Sequence, residues 1–308
     1  MLGHDPFIGW LRGRSGLLAG VAFWLAVPLT GAAILSGCGG SRSAAAGANG
    51  APATGSASVS PPVARSPGGS GAGRSEPAQS TSTTPPRTVP IQLDGWRLTL
   101  PVNARGALSG TATQLDTAAV TAPWLIRNRD GSVTFWAPAQ GATTASSEHA
   151  RTELVSTRDW MFGTDGVHRL TATLAVSQVP QEDPDICVGQ VHGGGSIKSI
   201  PFVMLHYRDG SLVVVVKQEL QGTASQSISL LTGIPLGGVF SYTITDNGDG
   251  TLGLSATYNR LTGTHTARVM SVFIGTDQRF QVGDYQQATS AASATDGGRM
   301  TLYALNVS

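Results

Sequence analysis

The chain has 308 residues, 20 basic and 19 acidic side chains, a net charge of +1, 40 glycines and 2 cysteines. Near-neutral charge without a basic cluster in the C-terminal part excludes a nucleic-acid binder of the usual electrostatic kind, and two distant cysteines exclude a disulfide framework. Six histidines with no close pair and two distant cysteines give no zinc-ligand spacing, so no zinc site is expected.

In chain order, Arg12 and Arg14 precede an apolar run from Gly16 to Leu35 that ends in Leu35-Ser36-Gly37-Cys38. A charged start followed by an apolar stretch is an export signal, set apart from the fold, and residues 1–38 are assigned to it. About twenty apolar residues are also long enough to be a plain transmembrane anchor. The small residues before a lone cysteine resemble a bacterial lipoprotein signal peptide, which implies cleavage before Cys38 and lipid on its sulfur. The remainder is then expected outside the cytoplasm, held to the outer face of a bacterial membrane or secreted. Cys187, between Ile186 and Val188, is left without a partner and reads as a buried small hydrophobe.

Residues 39–90 are rich in Ser, Ala, Gly, Pro and Thr and contain no aromatic residue. Such a segment cannot bury enough apolar surface to offset its ordering entropy, so it is expected to be a disordered tether. As a flexible coil its ends would lie roughly 40 Å apart.

Residues 91–308 read as one domain of successive strands. Val133 and Phe135 alternate with Thr134 and Trp136; Leu170, Ala172, Leu174 and Val176 alternate with Thr171, Thr173 and Ala175; Tyr242 and Ile244 alternate with Thr243 and Thr245. Turn signals fall at Asn128 to Gly131, Arg208 to Gly210, Asp246 to Gly250, Gly237-Gly238 and Gly297-Gly298. No stretch has a helical period, so the fold class is all-β, with two packed antiparallel sheets. The Asp246-Asn247-Gly248-Asp249-Gly250 loop has oxygen ligands beside glycine but lacks the downstream Glu of a calcium loop, and it reads as a hairpin turn.

Three polar segments stand out: His149 to Leu154, Gly189 to Gly193, and Arg279 to Gln287. Each spaces polar side chains two apart, which on a strand aims them to one side. Arg151 with Glu153, Gln190 with His192, and Gln281 with Tyr285 and Gln287 would line one groove, while Leu154, Val191, Phe280 and Val282 face a core.

At these residues the chain resembles polysaccharide lyase family 7, the alginate lyases of β-jelly-roll fold. The family's R-[ST]-E-L, Q-[IV]-H and Y-F-K-x-G-x-Y-x-Q strands correspond in order to Arg151-Thr152-Glu153-Leu154, Gln190-Val191-His192 and Arg279 to Gln287. Trp96-Arg97-Leu98-Thr99-Leu100-Pro101-Val102 resembles the family's first strand. The resemblance implies a jelly-roll with a substrate groove, a 4-linked polyuronate as partner, and no cofactor. It also implies that Arg151, Gln190 and His192 bind and neutralise the substrate while Tyr285 serves as acid and often base.

The residues suit that chemistry. Cleavage by β-elimination removes the C5 proton, alpha to a carboxylate, and expels the C4 oxygen. Arg151, whose planar fork matches a carboxylate, and the Gln190 amide are expected to stabilise the charge that develops. His192 and Tyr285 transfer protons, with the nearby cation and polar groove expected to favour the Tyr285 phenolate. Glu153, Gln281, Gln287, Arg279 and His149 are expected to contact substrate. Gln281 replaces the family's Lys, Arg279 its Tyr, and Val155 a frequent Arg, differences that bear on affinity and substrate choice. Arg279 is expected to restore charge near the groove, though from the strand face opposite Tyr285. Within the family, Gln-Val-His tends to accompany mannuronate-rich alginate. The competing readings are a surface lectin, needing Arg151 and Gln190 but not Tyr285, and a structural envelope lipoprotein. A monomer with an open cleft is expected.

Overall fold

The computed structural model describes residues 89–308. The export segment and nearly all of the tether lie outside the described residues, as does Cys38.

In chain order the strands are β1 (Trp96–Thr99), β2 (Gln114–Asp116), β3 (Leu125–Arg127), β4 (Val133–Pro138), β5 (Arg151–Ser156), β6 (Trp160–Met161), β7 (His168–Gln178) and β8 (Asp185–Gly193). They continue as β9 (Pro201–Arg208), β10 (Ser211–Lys217), β11 (Ser225–Leu231), β12 (Phe240–Asp246), β13 (Thr251–Tyr258), β14 (Leu261–Arg268), β15 (Asp277–Gln286) and β16 (Gly297–Val307). The helical content among the described residues is three single 3-10 turns, at Thr117–Ala119, Gly195–Ile197 and Ser271–Phe273.

One sheet runs β11-β10-β9-β8-β15-β5-β1-β2, with β6 attached to β15; the other runs β14-β13-β12-β7-β16-β4-β3. The strands pair antiparallel, as in a jelly-roll sandwich. Late strands enter the middle of both sheets: β15 lies between β8 and β5, and β16 between β7 and β4. That crossover brings together three segments far apart in sequence.

Alternation separates the two faces of the site strands. Leu98, Leu154, Val191, Phe280 and Val282 are essentially inaccessible and join one core with Leu174, Tyr242, Met300 and Leu302 of the opposing sheet. Each large apolar side chain so buried contributes about 1.5–3 kcal/mol. The sheets also bond through polar groups: Tyr242 donates to the Val188 carbonyl at 3.0 Å, and Thr152 donates to the Trp136 carbonyl at 2.7 Å. Gly189 is needed for the first, because a Cβ there would lie 2.2 Å from the Tyr242 hydroxyl oxygen.

The Asp246 to Gly250 segment is a hairpin turn, with Gly248 and Gly250 at positive φ and Gly248 N–H donating to Asp246 Oδ1 at 2.9 Å. Asp246 also accepts from the Trp160 indole at 3.0 Å and the Gly163 amide at 2.8 Å, so its carboxylate is a structural hub. Gly297-Gly298 is not a turn but the start of β16. Glycine is required there by close approach: a Cβ on Gly297 would lie 2.2 Å from the Ala137 carbonyl oxygen, and one on Gly298 2.2 Å from Asp284 Oδ1.

Candidate active site

The outward faces of β5, β8 and β15 form the floor of a cleft of about 230 Å³, lined by Arg151, Gln190, His192, Arg279, Gln281 and Tyr285 among others. Register dictates the arrangement. Tyr285 stands opposite Arg151 on β5 and Cys187 on β8; Gln281 opposes Gln190; Arg279 opposes His192. Between Val282 and Tyr285 the pairing with β8 slips by one residue, while pairing with β5 stays regular. Gly283, at φ 156°, sits in this bulge, and a Cβ there would meet the Thr152 carbonyl oxygen at 2.5 Å and Glu153 Cα at 2.7 Å. Only glycine lets β15 approach β5 this closely, and the approach seats Tyr285 on Arg151.

The Arg151 guanidinium carbon lies 3.4 Å from the centre of the Tyr285 ring, a cation–π contact. Its Nη1 donates to Glu153 Oε2 at 3.1 Å, and its buried Nε has no partner among the described residues. Glu153 was expected at the substrate surface; it is instead fully buried beneath the floor, holding Arg151 with one oxygen and the Gln190 amide with the other. Burial raises the Glu153 pKa against the opposing pull of Arg151 and Gln190. Gln190 Nε2 donates to both Glu153 and Gln281, leaving its buried Oε1 without a partner among the described residues. The amide hydrogens expected to neutralise a substrate carboxylate are thus engaged internally, and Arg151 supplies the cationic group of the floor.

Tyr285 is mostly buried, and its hydroxyl lies 3.0 Å from Ser147 Oγ. Burial raises its pKa above the ordinary 10, outweighing Arg151 and the Ser147 bond. The expected bias toward phenolate is therefore reversed: desolvation prevails over the cation, and the phenol stays protonated near neutrality. His192 is lowered to about 4, first by burial and then by the positive charges of Arg151 and Arg279, against a contact with the Gly193 carbonyl at 3.2 Å. It is neutral at pH 7, with one ring nitrogen able to accept a proton.

The remaining expected groups are divided among the cleft, its rim and the backbone around Tyr285. Gln287 turns its amide to the Tyr285 and Gln286 carbonyls. His149 is at the rim, edge-on to Tyr285 at 6.2 Å, with Nδ1 3.4 Å from the Ala288 carbonyl oxygen. Arg279 faces the cleft rather than the core, because it stands six positions before Tyr285, an even spacing, on a strand whose pairing with β5 is regular. Ser147, Asp159 and Lys198 were not singled out from sequence. They sit on connections between strands, where no periodicity marks a residue.

A family model described as alginate lyase matches residues 91–308. The chain therefore belongs to the alginate lyase family, the polysaccharide lyases of family 7, and has their jelly-roll fold. A solved alginate lyase from Pseudomonas aeruginosa is 27% identical with a TM-score of 0.62, over 70% of this chain and 99% of that one. The family 7 alginate lyase A1-II′, solved in substituted form with a substrate, is 27% identical with a TM-score of 0.59, over 70% and 93%. An alginate lyase from Corynebacterium sp., at 24% identity and TM-score 0.56 over 71% and 95%, matches in fold. No curated protein sequence matches the chain.

Proposed function

We propose that this chain cleaves the 4-linked uronate units of alginate, mannuronate-rich stretches foremost, by β-elimination that leaves an unsaturated sugar at the new end. The observation that carries the proposal is the convergence of Arg151, a neutral His192 and a protonated Tyr285 on one cleft. Arg151 neutralises the uronate carboxylate, so that charge arriving from C5 meets a fixed cation. His192 accepts the C5 proton; the electron pair forms the C4=C5 bond as the C4–O bond breaks; Tyr285 gives its proton to the departing oxygen. Ser147 Oγ, 3.0 Å from the Tyr285 hydroxyl, holds that hydroxyl in place.

Because Arg151 supplies the neutralising cation, the reaction is proposed to need no metal. The preference for mannuronate rests on the Gln190-Val191-His192 sequence. Val191 is buried in the core, so it acts on the sugar only through the placement of His192. The domain is proposed to work as a monomer, tethered outside the cell through lipid on Cys38.

The test is ultraviolet absorbance of the conjugated product from mannuronate-rich, guluronate-rich and glucuronan polymers, with and without a chelator. A rise led by the mannuronate-rich polymer and indifferent to chelation is expected. A rate abolished by chelation overturns the metal-free route, and a faster rise on another polymer overturns the substrate order.

A further inference from the structure

Beyond the effect of its charge on His192, Arg279 has no part in the chemistry above, yet it lines the same cleft. It faces His192 across the β8–β15 ladder, upstream of Tyr285 on β15. At about 3.3 Å per residue, the strand separates it from Tyr285 by roughly 20 Å. Arg151, paired with Tyr285, and Arg279 therefore mark two stations along one groove.

The guanidinium of Arg279 is braced. Nη2 bonds Asp159 Oδ2 at 2.9 Å, from the connection between β5 and β6, and the pair is about one-third exposed or less. Gly194 makes room for both: a Cβ there would lie 2.5 Å from Asp159 Oδ2 and 3.1 Å from Arg279 Nη2. Among the described residues Nη1 has no hydrogen-bond partner, and Nε is buried without one. Lys198, exposed just after the 3-10 turn that follows β8, lines the same end of the cleft and has no ion pair among the described residues. Between the two stations the floor carries the uncharged Gln281. A braced planar cation with a free donor beside a second cation is suited to a carboxylate.

We propose that Arg279, braced by Asp159 and assisted by Lys198, forms a second carboxylate-reading subsite that holds the acidic sugar unit on the His192 side of the one that reacts. This rests on the polyuronate reading above and adds to it a length requirement. A chain long enough to reach from Arg151 to Arg279 gains binding energy that a shorter one lacks, so Arg279 selects for runs of acidic sugars and not for the identity of the reacting unit.

The experiment is steady-state kinetics on size-fractionated oligouronates and on polymer, with wild type, Arg279→Gln, Arg279→Lys and Asp159→Asn, alongside thermal unfolding. Arg279→Gln is expected to raise KM on long substrates roughly 5- to 20-fold, as loss of one partly exposed charge-assisted hydrogen bond does. That effect shrinks as the oligomer shortens, kcat falls less than KM rises, and Arg279→Lys recovers part of the loss at low salt. Asp159→Asn leaves the Arg279 cation in place and is expected to have the smaller effect on KM. If Arg279→Gln and Asp159→Asn instead lower the unfolding temperature alike with KM unchanged at every length, the pair is only a staple and the subsite is overturned. Should wild type cleave no uronate polymer, it is the proposed function that fails; equilibrium binding of the same oligomers to Arg279→Gln then still tests the subsite by the same length dependence.

Discussion

His192 carries a depressed pKa because it is partly desolvated and stands between two arginines, neither of which tolerates a third positive charge nearby. A base lowered from 6.5 to about 4 remains competent through mildly acidic conditions. We therefore expect the acid limb of kcat/KM to fall near pH 4; a limb centred near 6.5 would contradict the environment described. The sign for stability follows by linkage: the unfolded chain takes up the proton first, so the contribution of this group to stability declines as pH falls from about 6.5 to about 4. On the alkaline side, activity is expected to persist until Tyr285 loses its proton, above its ordinary 10. At this scale the sequence made the identities of Arg151, Gln190, His192 and Tyr285 legible, because each sits at strand spacing with its neighbours. Their electrostatics were not legible. Whether a tyrosine beside an arginine is raised or lowered depends on how much water the fold removes, and that is decided by residues from other strands. For the same reason Glu153, polar and in phase with Arg151, read as a surface group when the fold buries it completely.

Between residue and fold, the β15 bulge connects packing to chemistry. A regular strand without the extra residue would shift the pairing of Tyr285 against β8, and Gly283 alone allows the insertion without pushing β5 away. Gly283→Ala is expected to destabilise the domain by about 1–3 kcal/mol, the cost of overpacking. It should also lower kcat/KM at least about tenfold, since moving the β5 backbone moves Arg151, and displacements near 1 Å cost heavily in catalysis. Thermal unfolding and kinetics on the purified variant check both; wild-type behaviour in both would remove the bulge from the account. Strands with clean alternation, such as β4, β7 and β12, were evident from sequence, and so was the β12–β13 hairpin with its Asp, Asn and Gly. Gly297-Gly298 misled because a glycine pair that permits a close approach of strands looks in sequence like one that permits a turn.

At the scale of the whole molecule, the sandwich accounts for how residues from near 150, near 190 and near 280 meet: the late strand β15 enters between β8 and β5. Periodicity shows that strands exist, but not their order, so shared polar spacing suggested a common groove and the resemblance of three short motifs taken together gave it a function. The same topology buries the β5, β8 and β15 inner faces in one continuous core, with Cys187 buried as a free thiol. The central claim is that this floor cuts an acidic polysaccharide and does not merely hold it. Its most direct test is Tyr285→Phe, assayed side by side for appearance of the C4=C5 product and for equilibrium binding of the same polymer. The account predicts that wild type forms product and that the variant binds with similar affinity but loses cleavage by a factor of about 10² or more, as expected when a general acid is removed. Cleavage undiminished in the variant, or binding without cleavage in wild type, would contradict it, the latter leaving a lectin.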